Sequence, residues 1–248
     1  MQIVILAGGL GQRLGSLTKD IPKPMLPICG YPFLHYQISF LKNVGFKRYL
    51  FLVGYKSDII ETYFGDGKKI GVEIEYIHEN EPLGTAGSIF NAWKFVEDVF
   101  FLLNGDTFFD VNFTQLNELN LQKNPDIIFS LFIKKNNCRY GKVKVDSDFK
   151  IIGLCEKNGK EIQSEYINGG IVLIKKESLN YFYQKWFLNK IKFLSLEQNV
   201  YPALVEDRNT LIMGCPFTGM FIDIGTIEDY QWSQQFLRPY FINRGILL

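Results

Sequence analysis

The amino-acid sequence predicts an α/β fold in which helices flank a mostly parallel sheet. Three apolar runs, at residues 3–6, 47–53 and 99–103, have the length and composition of buried strands. Segments with helical spacing of apolar residues lie between them, at 32–46 and 57–64. Because strands and helices alternate, the strands are expected to run parallel, with ligands bound beyond their carboxyl ends.

The rest of the chain adds elements of both kinds. Residues 72–77 alternate as a strand does, and residues 85–96 fit a helix. From about residue 126 strands predominate, which predicts an α+β second half within one domain, residues 1–248. The further strands are expected at 127–133, 142–145, 151–155, 167–174 and 220–224, and the further helices at 179–187, 196–205 and 227–236.

Composition argues against several classes of protein. A formal net charge of +1 does not suit a nucleic-acid-binding surface, and 47% hydrophobic residues are ample for a core. The first strand begins at residue 2 and no apolar stretch reaches membrane-spanning length, so we expect a cytoplasmic protein with no membrane partner. The four cysteines are scattered and are expected to be buried free thiols. Apolar residues at 239–248 favour either packing back on the body or a homodimer.

A glycine-rich turn follows the first strand. Gly8, Gly9 and Gly11 allow a tight turn and leave space for a ligand against the main chain, whose N–H groups suit phosphate oxygens. Arg13 follows at once, and Lys23 lies between two prolines that stiffen its loop. A turn without a ligand is the alternative, since the spacing matches neither the dinucleotide-binding fingerprint nor a P-loop. Together these residues predict a polyphosphate site.

Two aspartates follow or interrupt apolar runs. Asp106 comes after an apolar strand and a glycine, where it either projects at the sheet edge or closes the strand as a turn residue. Asp223 lies inside an otherwise apolar strand, where an unpaired carboxylate would be costly. Such an acid needs a cation, either Mg²⁺ held together with phosphate oxygens or a lysine such as Lys23 or Lys157.

The glycine turn, Arg13 and the Pro-Lys-Pro sequence around Lys23 together resemble the sugar-1-phosphate nucleotidyltransferases. The signature of that family is Gly-Gly-x-Gly-Thr-Arg-Leu followed by Lys-Pro, and this sequence departs from it at Gln12. The resemblance covers nearly the whole chain and implies a Rossmann-like, GT-A-like nucleotidyltransferase fold. It implies nucleotide binding by residues 1–125 and sugar-phosphate binding by residues 126–248. The implied reaction joins a nucleoside triphosphate to a sugar 1-phosphate and releases pyrophosphate.

The same resemblance assigns roles to individual residues. It implies that Arg13 holds the leaving pyrophosphate and that Lys23 stabilises the α-phosphate. It implies that Asp106 and Asp223 coordinate Mg²⁺ as the cofactor. Each of the shorter motifs also has an explanation without a ligand: a helix N-cap at Thr85, a solvated strand edge at Glu156 and Lys157, and a turn at Asn168 and Gly169. The implied nucleotide contacts are Leu6, Ala7, Gly8, Gly9, Gly11, Gln12, Gly54, Tyr55, Glu81, Pro82, Leu83, Gly84, Thr85, Asn104 and Gly105. The implied sugar-phosphate contacts are Tyr140, Gly141, Glu156, Lys157, Asn168 and Gly169.

The resemblance extends to specificity. Residues 83–87 are most similar to those of the guanylyltransferases for mannose-type and heptose 1-phosphates, which implies GTP and favours D-glycero-α-D-manno-heptose 1-phosphate. A uridylyl-, thymidylyl- or cytidylyltransferase acting on a hexose or N-acetylhexosamine 1-phosphate is the alternative within the family. From other classes, a metal-dependent glycosyltransferase and a non-catalytic nucleotide sensor stay open. Arg13 argues against the glycosyltransferase, because a nucleotide-sugar donor releases no pyrophosphate.

Overall fold

The structure, a computed structural model, describes residues 1–9, 11–134, 140–155 and 164–248. The fold is α/β, with a mostly parallel sheet flanked by helices, and this confirms the predicted fold class. In chain order the strands are β1 (Gln2–Leu6), β2 (Pro27–Ile28), β3 (Tyr31–Pro32), β4 (Arg48–Val53), β5 (Glu73–His78), β6 (Val99–Asn104), β7 (Thr107–Phe109), β8 (Ile127–Ile133), β9 (Lys142–Val145), β10 (Ile151–Cys155), β11 (Tyr166–Lys175), β12 (Ile212–Phe217) and β13 (Phe221–Asp223).

Helices alternate with these strands. In chain order they are α1 (Phe33–Val44), α2 (Ser57–Phe64), α3 (Gly84–Asn91), α4 (Phe113–Lys123), α5 (Asn180–Leu188), α6 (Tyr201–Glu206) and α7 (Ile227–Asn243). Within the described ranges, no helix has both the length and the apolar character needed to span a membrane.

The chain divides into two compact units. The first unit comprises Met1–Pro82, Leu103–Phe108 and Ile222–Leu248, and the second comprises Leu83–Leu102 and Phe109–Phe221. Three separate stretches of chain therefore build the first unit. The assignment of nucleotide binding to residues 1–125 and sugar-phosphate binding to residues 126–248 stays a prediction.

Parallel strand pairing forms the centre of the first unit. β1 pairs with β4 in the register that sets Ile3 opposite Tyr49, and β4 pairs in parallel with β5. β1 and β4 are apolar and buried along almost their whole length, as is typical of strands in a parallel sheet. Parallel strands end at a common edge, so the segments that follow β1, β4 and β5 begin side by side. These segments start at residues 7, 54 and 79.

The C-terminal helix completes the first unit. α7 begins after Thr226, whose hydroxyl oxygen accepts a hydrogen bond from the Asp229 N–H (3.3 Å). The helix continues through Pro239, although proline disfavours a helix interior, and so extends beyond its predicted end at residue 236. Phe241 and Ile246 are buried, so this segment packs back on its own unit.

Antiparallel pairing predominates in the second unit. β11 runs antiparallel to β8 and β9, β9 runs antiparallel to β10, and β12 runs parallel to β8. The strands predicted at 127–133, 142–145 and 151–155 have the bounds of β8, β9 and β10. The pairing of β11 with β8 shifts register between Asn168 and Val172.

Several elements were not predicted. α4 was missed because its sequence is largely polar, although Asn112 caps it by accepting hydrogen bonds from two backbone N–H groups. β12 contains Gly214 and Pro216, residues that a strand pattern disfavours, and β7 is three residues long. The helix expected at 85–96 ends at Asn91.

The cysteines differ in burial. Cys215 is buried, and burial raises the pKa of its thiol to about 11. Cys29 and Cys155 are only partly buried, so the expectation of buried thiols was wrong for these two. The Cys29 thiol donates a hydrogen bond to the Gln234 carbonyl (3.0 Å). Cys138 lies outside the described residues.

Candidate active site

The turn after β1 lies close to the loop after β4. The Ala7 N–H donates to the Leu52 carbonyl (2.8 Å), which extends the pairing of the two strands. A Cβ on Gly8 would lie 3.3 Å from the Gly54 nitrogen, whereas a Cβ on Gly9 would meet no atom of the described residues within 4 Å. Packing therefore disfavours a side chain at position 8, while Gly9 borders space that is open among the described residues and that a ligand can fill.

Gly11 ends this turn in a left-handed backbone conformation. Its φ is 61°, and a Cβ there would lie 3.0 Å from the Thr18 side chain and 3.2 Å from that of Lys23. The Thr18 hydroxyl donates to the Gly11 carbonyl (3.1 Å). The 3₁₀ segment Gln12–Thr18 begins directly after Gly11, and its Arg13 is exposed. The glycine turn thereby lies directly against Lys23.

Lys23 is a buried cation with two carboxylate partners. It begins a short 3₁₀ turn after the extended Pro22, and 6% of its surface is exposed. Its Nζ lies 2.5 Å from Asp106 Oδ2 and 3.6 Å from Asp223 Oδ1. Such partners are required because a buried charge without them is costly. The lysine pairing that the sequence left open for Asp223 is therefore present.

Hydrogen bonds fix Asp106 between β6 and β7. The preceding Gly105 N–H donates to the Leu6 carbonyl (3.0 Å), and a Cβ on Gly105 would lie only 2.8 Å from that oxygen. The Asp106 carbonyl accepts a hydrogen bond from the Ile224 N–H (3.1 Å). Its carboxylate accepts one from the Thr107 hydroxyl (3.2 Å). The carboxylate is therefore held where β1 and β13 end.

The two carboxylates have opposite pKa shifts. Burial acts to raise the pKa of Asp106, but the Lys23 ammonium and the Thr107 hydroxyl hold that pKa below its usual value. The pKa of Asp223 is raised, first by burial and second by the charge of Asp106, against the opposing effect of Lys23. Arg13 acts to lower both pKa values. One ammonium thus contacts two carboxylates, so a further cation could bind to the cluster.

The donor set fits a magnesium ion that a phosphate substrate helps to bind. Mg²⁺ is commonly held by one or two carboxylates, with phosphate oxygens and water as further ligands. Asp106 and Asp223 supply two carboxylates that share the single ammonium of Lys23, and the charge of Asp106, after burial, raises the pKa of Asp223. In the described ranges, no three His, Cys, Asp or Glu side chains group as a metal site of their own. The assignment of Mg²⁺ to this pair stays a prediction.

The loop after β4 contacts the glycine turn through its backbone. A Cβ on Gly54 would lie 3.2 Å from the Gly8 carbonyl oxygen, and the Tyr55 N–H donates to that oxygen (3.4 Å). The Tyr55 hydroxyl donates to the Lys19 carbonyl (2.6 Å). Gly54 and Tyr55 therefore lie beside the turn, and their contact with a base stays a prediction.

Glu79 is a candidate residue that the sequence reasoning missed. It follows β5 directly and is partly buried. Its Oε1 lies 3.3 Å from the position that a Cβ on Gly8 would occupy, and its own Cβ lies 3.7 Å from the corresponding position on Gly54. The available signal was its place at the carboxyl end of a strand, at the edge that also carries the glycine turn. The predicted contacts Glu81 and Pro82 are exposed.

In the second unit, the turn that opens α3 is closed by Leu194. Gly84 has a φ of 78°, and a Cβ there would lie 2.5 Å from the Leu194 carbonyl oxygen. That oxygen accepts hydrogen bonds from the Ala86 N–H (2.9 Å) and the Gly87 N–H (3.1 Å). The Leu83 carbonyl accepts one from the Leu194 N–H (2.8 Å). Gly84 is therefore required by both conformation and space.

Thr85 has a different role from the predicted helix N-cap. α3 already begins at Gly84, and the Thr85 hydroxyl donates to Glu197 Oε2 (2.6 Å). The same hydroxyl accepts a hydrogen bond from the Leu196 N–H (2.8 Å). The Ser195 hydroxyl donates to the same Glu197 oxygen (2.8 Å). The Thr85 side chain thus links the turn to the segment at 194–197.

The predicted sugar-side residues Asn168 and Gly169 lie in β11. Asn168 Oδ1 accepts a hydrogen bond from the Gly170 N–H (3.0 Å). A Cβ on Gly169 would collide with the Phe109 ring, so close packing excludes a side chain there. The amide oxygen of Asn168 therefore shapes the backbone at the register shift of β11.

The other sugar-side predictions fall before and within a part of the chain that is not described. The Tyr140 ring centroid lies 4.6 Å from Lys134 Nζ and 5.7 Å from that of Phe221. Gly141 follows Tyr140 and is partly buried. Glu156 and Lys157 lie outside the described residues.

A backbone turn next to a lysine and two carboxylates defines an enzyme class that acts on phosphate groups. The family described as nucleotidyl transferase matches residues 2–238. This chain belongs to that family, and its similarity to the relatives below makes it a sugar-1-phosphate nucleotidyltransferase.

Two relatives and one solved structure show how far the similarity extends. The chain is 42% identical to a D-glycero-alpha-D-manno-heptose 1-phosphate guanylyltransferase from Campylobacter jejuni, over 93% of this chain and 97% of the relative. It is 36% identical to the enzyme of the same name from Aneurinibacillus thermoaerophilus, over 97% of this chain and 100% of the relative. The crystal structure of HddC from Yersinia pseudotuberculosis complexed with GMP-PN has a TM-score of 0.78 and 33% identity, covering 94% of this chain and 98% of HddC.

Proposed function

We propose that this chain transfers the GMP group of GTP to D-glycero-α-D-manno-heptose 1-phosphate and releases pyrophosphate. Two relatives of nearly equal length, at 42% and 36% identity, have this activity in their names. The similar HddC structure contains GMP-PN, which supports a guanine nucleotide as donor. In this chain, the observation that carries the proposal is the contact of Lys23 with Asp106 and Asp223 beside the glycine turn.

The proposed reaction needs charge neutralisation more than proton transfer. An ionised oxygen of the sugar phosphate forms a bond to the α-phosphorus of GTP. The bond from that phosphorus to the bridging oxygen breaks, and its electron pair leaves on pyrophosphate. The N–H groups of the glycine turn and the Arg13 guanidinium would bind the leaving phosphates, and the Lys23 ammonium would stabilise charge on the α-phosphate.

We further propose that Asp106 and Asp223 hold the cofactor Mg²⁺. When bound, the ion would supply positive charge to phosphate oxygens during the transfer. The support in this chain is the sharing of one ammonium by two carboxylates, together with the raised pKa of Asp223. The roles of Tyr140, Asn168 and the sugar-side residues beyond them stay predictions.

The preference for GTP has a candidate residue in Glu79. The Watson–Crick edge of guanine carries two adjacent donors, the N1–H and the 2-amino group, and an ionised carboxylate is a pure acceptor. Uracil and thymine offer one N–H between two carbonyl oxygens, which a carboxylate would repel. Glu79 lies against Gly8 and Gly54 at the edge where the strands of the first unit end. A base bound at this edge would meet its carboxylate, which favours guanine.

The test is a pyrophosphate-release assay with Mg²⁺ that crosses GTP, UTP, dTTP, CTP and ATP with heptose, mannose, glucose and N-acetylglucosamine 1-phosphates. We expect GTP with the heptose 1-phosphate to exceed every other pair. A different best pair would contradict the proposed specificity and leave the enzyme class intact. No turnover with any pair, from folded protein, would contradict the proposed reaction.

A further inference from the structure

Gln37 joins the two sides of the turn that carries Asp106. It lies in the middle of α1 and only 2% of its surface is exposed. Its side-chain amide nitrogen donates to the Asn104 carbonyl (2.8 Å) and also to the Thr107 carbonyl. These two carbonyls flank Gly105 and Asp106, so one side chain closes the turn from within the first unit.

The chemistry at this point requires a double donor. Two carbonyl oxygens face the same side chain, one in a buried and one in a partly buried hydrogen bond, and an acceptor that loses its donor away from water is costly. A neutral amide –NH₂ supplies two N–H groups, which no aliphatic or carboxylate side chain does. The Gln37 Oε1 atom has no hydrogen-bond partner among the described residues. The amide oxygen is thus buried at a cost in free energy, which indicates that the side chain contributes through the two hydrogen bonds of its –NH₂ group.

The turn has little freedom once these bonds are made. The Gly105 N–H is bonded to the Leu6 carbonyl, and the Asp106 carbonyl is bonded to the Ile224 N–H. Gln37 supplies the third restraint, from the side of α1. The direction of the Asp106 carboxylate toward Lys23 follows from this backbone position.

We infer that Gln37 is a positioning residue for the transfer reaction, acting on Asp106 through the backbone of residues 104–107. This inference rests on the proposed role of Asp106 as a ligand of Mg²⁺. Removing the –NH₂ group takes one donor from each of the two carbonyls and lets the turn relax, which moves the carboxylate. Residues that orient metal ligands in this way commonly affect metal affinity or activity by about 10–100-fold.

The test compares Gln37→Met, which keeps the length of the side chain and removes both donors, with Tyr36→Phe. Tyr36 is the next residue on α1, is fully buried, and donates one hydrogen bond to the Ile28 carbonyl (2.8 Å). The control therefore loses a buried side-chain-to-backbone bond at the adjacent position, without touching the turn. Both variants are measured for kcat, KM for GTP, the Mg²⁺ concentration giving half-maximal rate, and hydrogen–deuterium exchange of residues 103–109.

We expect Gln37→Met to lower kcat about 10–100-fold and to raise the Mg²⁺ requirement, with KM for GTP changed less than about threefold. We expect faster exchange at residues 103–109 in this variant alone, and kinetics within about twofold of the unmodified enzyme in Tyr36→Phe. Equal losses in the two variants, or unchanged kinetics in Gln37→Met, would overturn the inference. The exchange measurement needs no substrate, so it judges the turn even if the proposed substrates give no turnover.

Discussion

The two units hold their predicted site residues in different ways. In the first unit, the charged atoms of Lys23, Asp106 and Asp223 contact one another. In the second unit, Thr85 and Glu197 bond to each other, and Thr85 also accepts from a backbone N–H. Charged groups can exchange partners when a charged ligand binds. The hydrogen bonds of Thr85, in contrast, maintain the shape of the backbone around it. We therefore expect substitutions in the charge cluster of the first unit to alter turnover, and substitution of Thr85 in the second unit to alter binding and stability.

The largest effect is expected for Asp223→Asn. The neutral amide removes a proposed metal ligand, and we expect kcat to fall about 10²–10³-fold. Because burial and Asp106 raise the pKa of Asp223, ionisation of this carboxyl destabilises the folded protein relative to the unfolded chain as the pH rises. We therefore expect a thermal midpoint at pH 7.5 that is equal or higher, measured by calorimetry next to the kinetics. Activity close to that of the unmodified enzyme would refute the role of Asp223.

A smaller effect in the same unit is expected for Gly9→Ala. A Cβ at this position meets no atom within 4 Å in the part of the chain that the structure describes, so the fold should tolerate it and the thermal midpoint should not fall. The methyl group would occupy space proposed for phosphate, and we expect KM for GTP to rise about 10-fold. Gly8→Ala is the matched comparison, because its Cβ would lie 3.3 Å from Glu79 and Gly54. That variant should lose stability as well; equal behaviour of the two would argue against ligand space at Gly9.

Glu79→Gln sharpens the comparison by changing selectivity. The amide keeps the side-chain size and replaces one acceptor with a donor, which suits uracil better than guanine. We expect the ratio of kcat/KM for GTP to that for UTP to fall about 10-fold, with the protein equally folded. Glu75→Gln, an exposed position on β5, serves as the control and should leave the ratio unchanged. An unchanged ratio in Glu79→Gln would remove Glu79 from base recognition.

The smallest effect on turnover is expected for Thr85→Val in the second unit. The substitution keeps the shape but removes the hydroxyl that bonds Glu197 and the Leu196 N–H. We expect a loss of about 1–3 kcal/mol in the free energy of unfolding, because the Leu196 N–H loses its acceptor and Glu197 Oε2 keeps only the Ser195 hydroxyl. KM for GTP should rise a few-fold while kcat stays within about twofold. Ser88→Ala, which removes one bond to the Gly84 carbonyl (2.8 Å), is the control; a kcat loss as large as that of Asp223→Asn would contradict the division between the units.

Local sequence patterns predicted much of the fold because the spacing of apolar residues reflects which residues are buried. β8, β9, β10 and α2 have the predicted bounds, since each is an apolar run or a regular spacing between turn residues. α4 was missed because its polar surface carries no such spacing. α7 was predicted too short, since packing of Phe241 stabilises helix beyond Pro239.

The part of the site that depends on charge pairing could be predicted from the sequence. A buried carboxylate requires a cation, so the pairing of Asp223 with Lys23 was among the stated alternatives. The partner of Thr85 could not be inferred, because Glu197 is 112 residues away and no local pattern joins them. Glu79 is one of several acids near β5; its place directly after the strand was a weak signal, and its position beside Gly8 becomes visible only in the fold.

The assembly of the first unit from three stretches of chain has a consequence for protein synthesis. Lys23 belongs to the first stretch, Asp106 to the second and Asp223 to the third. The charge cluster therefore cannot form on the ribosome until residues 222–248 have been translated, although the glycine turn exists much earlier. Nascent chains commonly begin to fold from their N-terminal end. Under the proposed role of Asp223, a nascent chain of this enzyme is thus expected to stay inactive until its last stretch emerges.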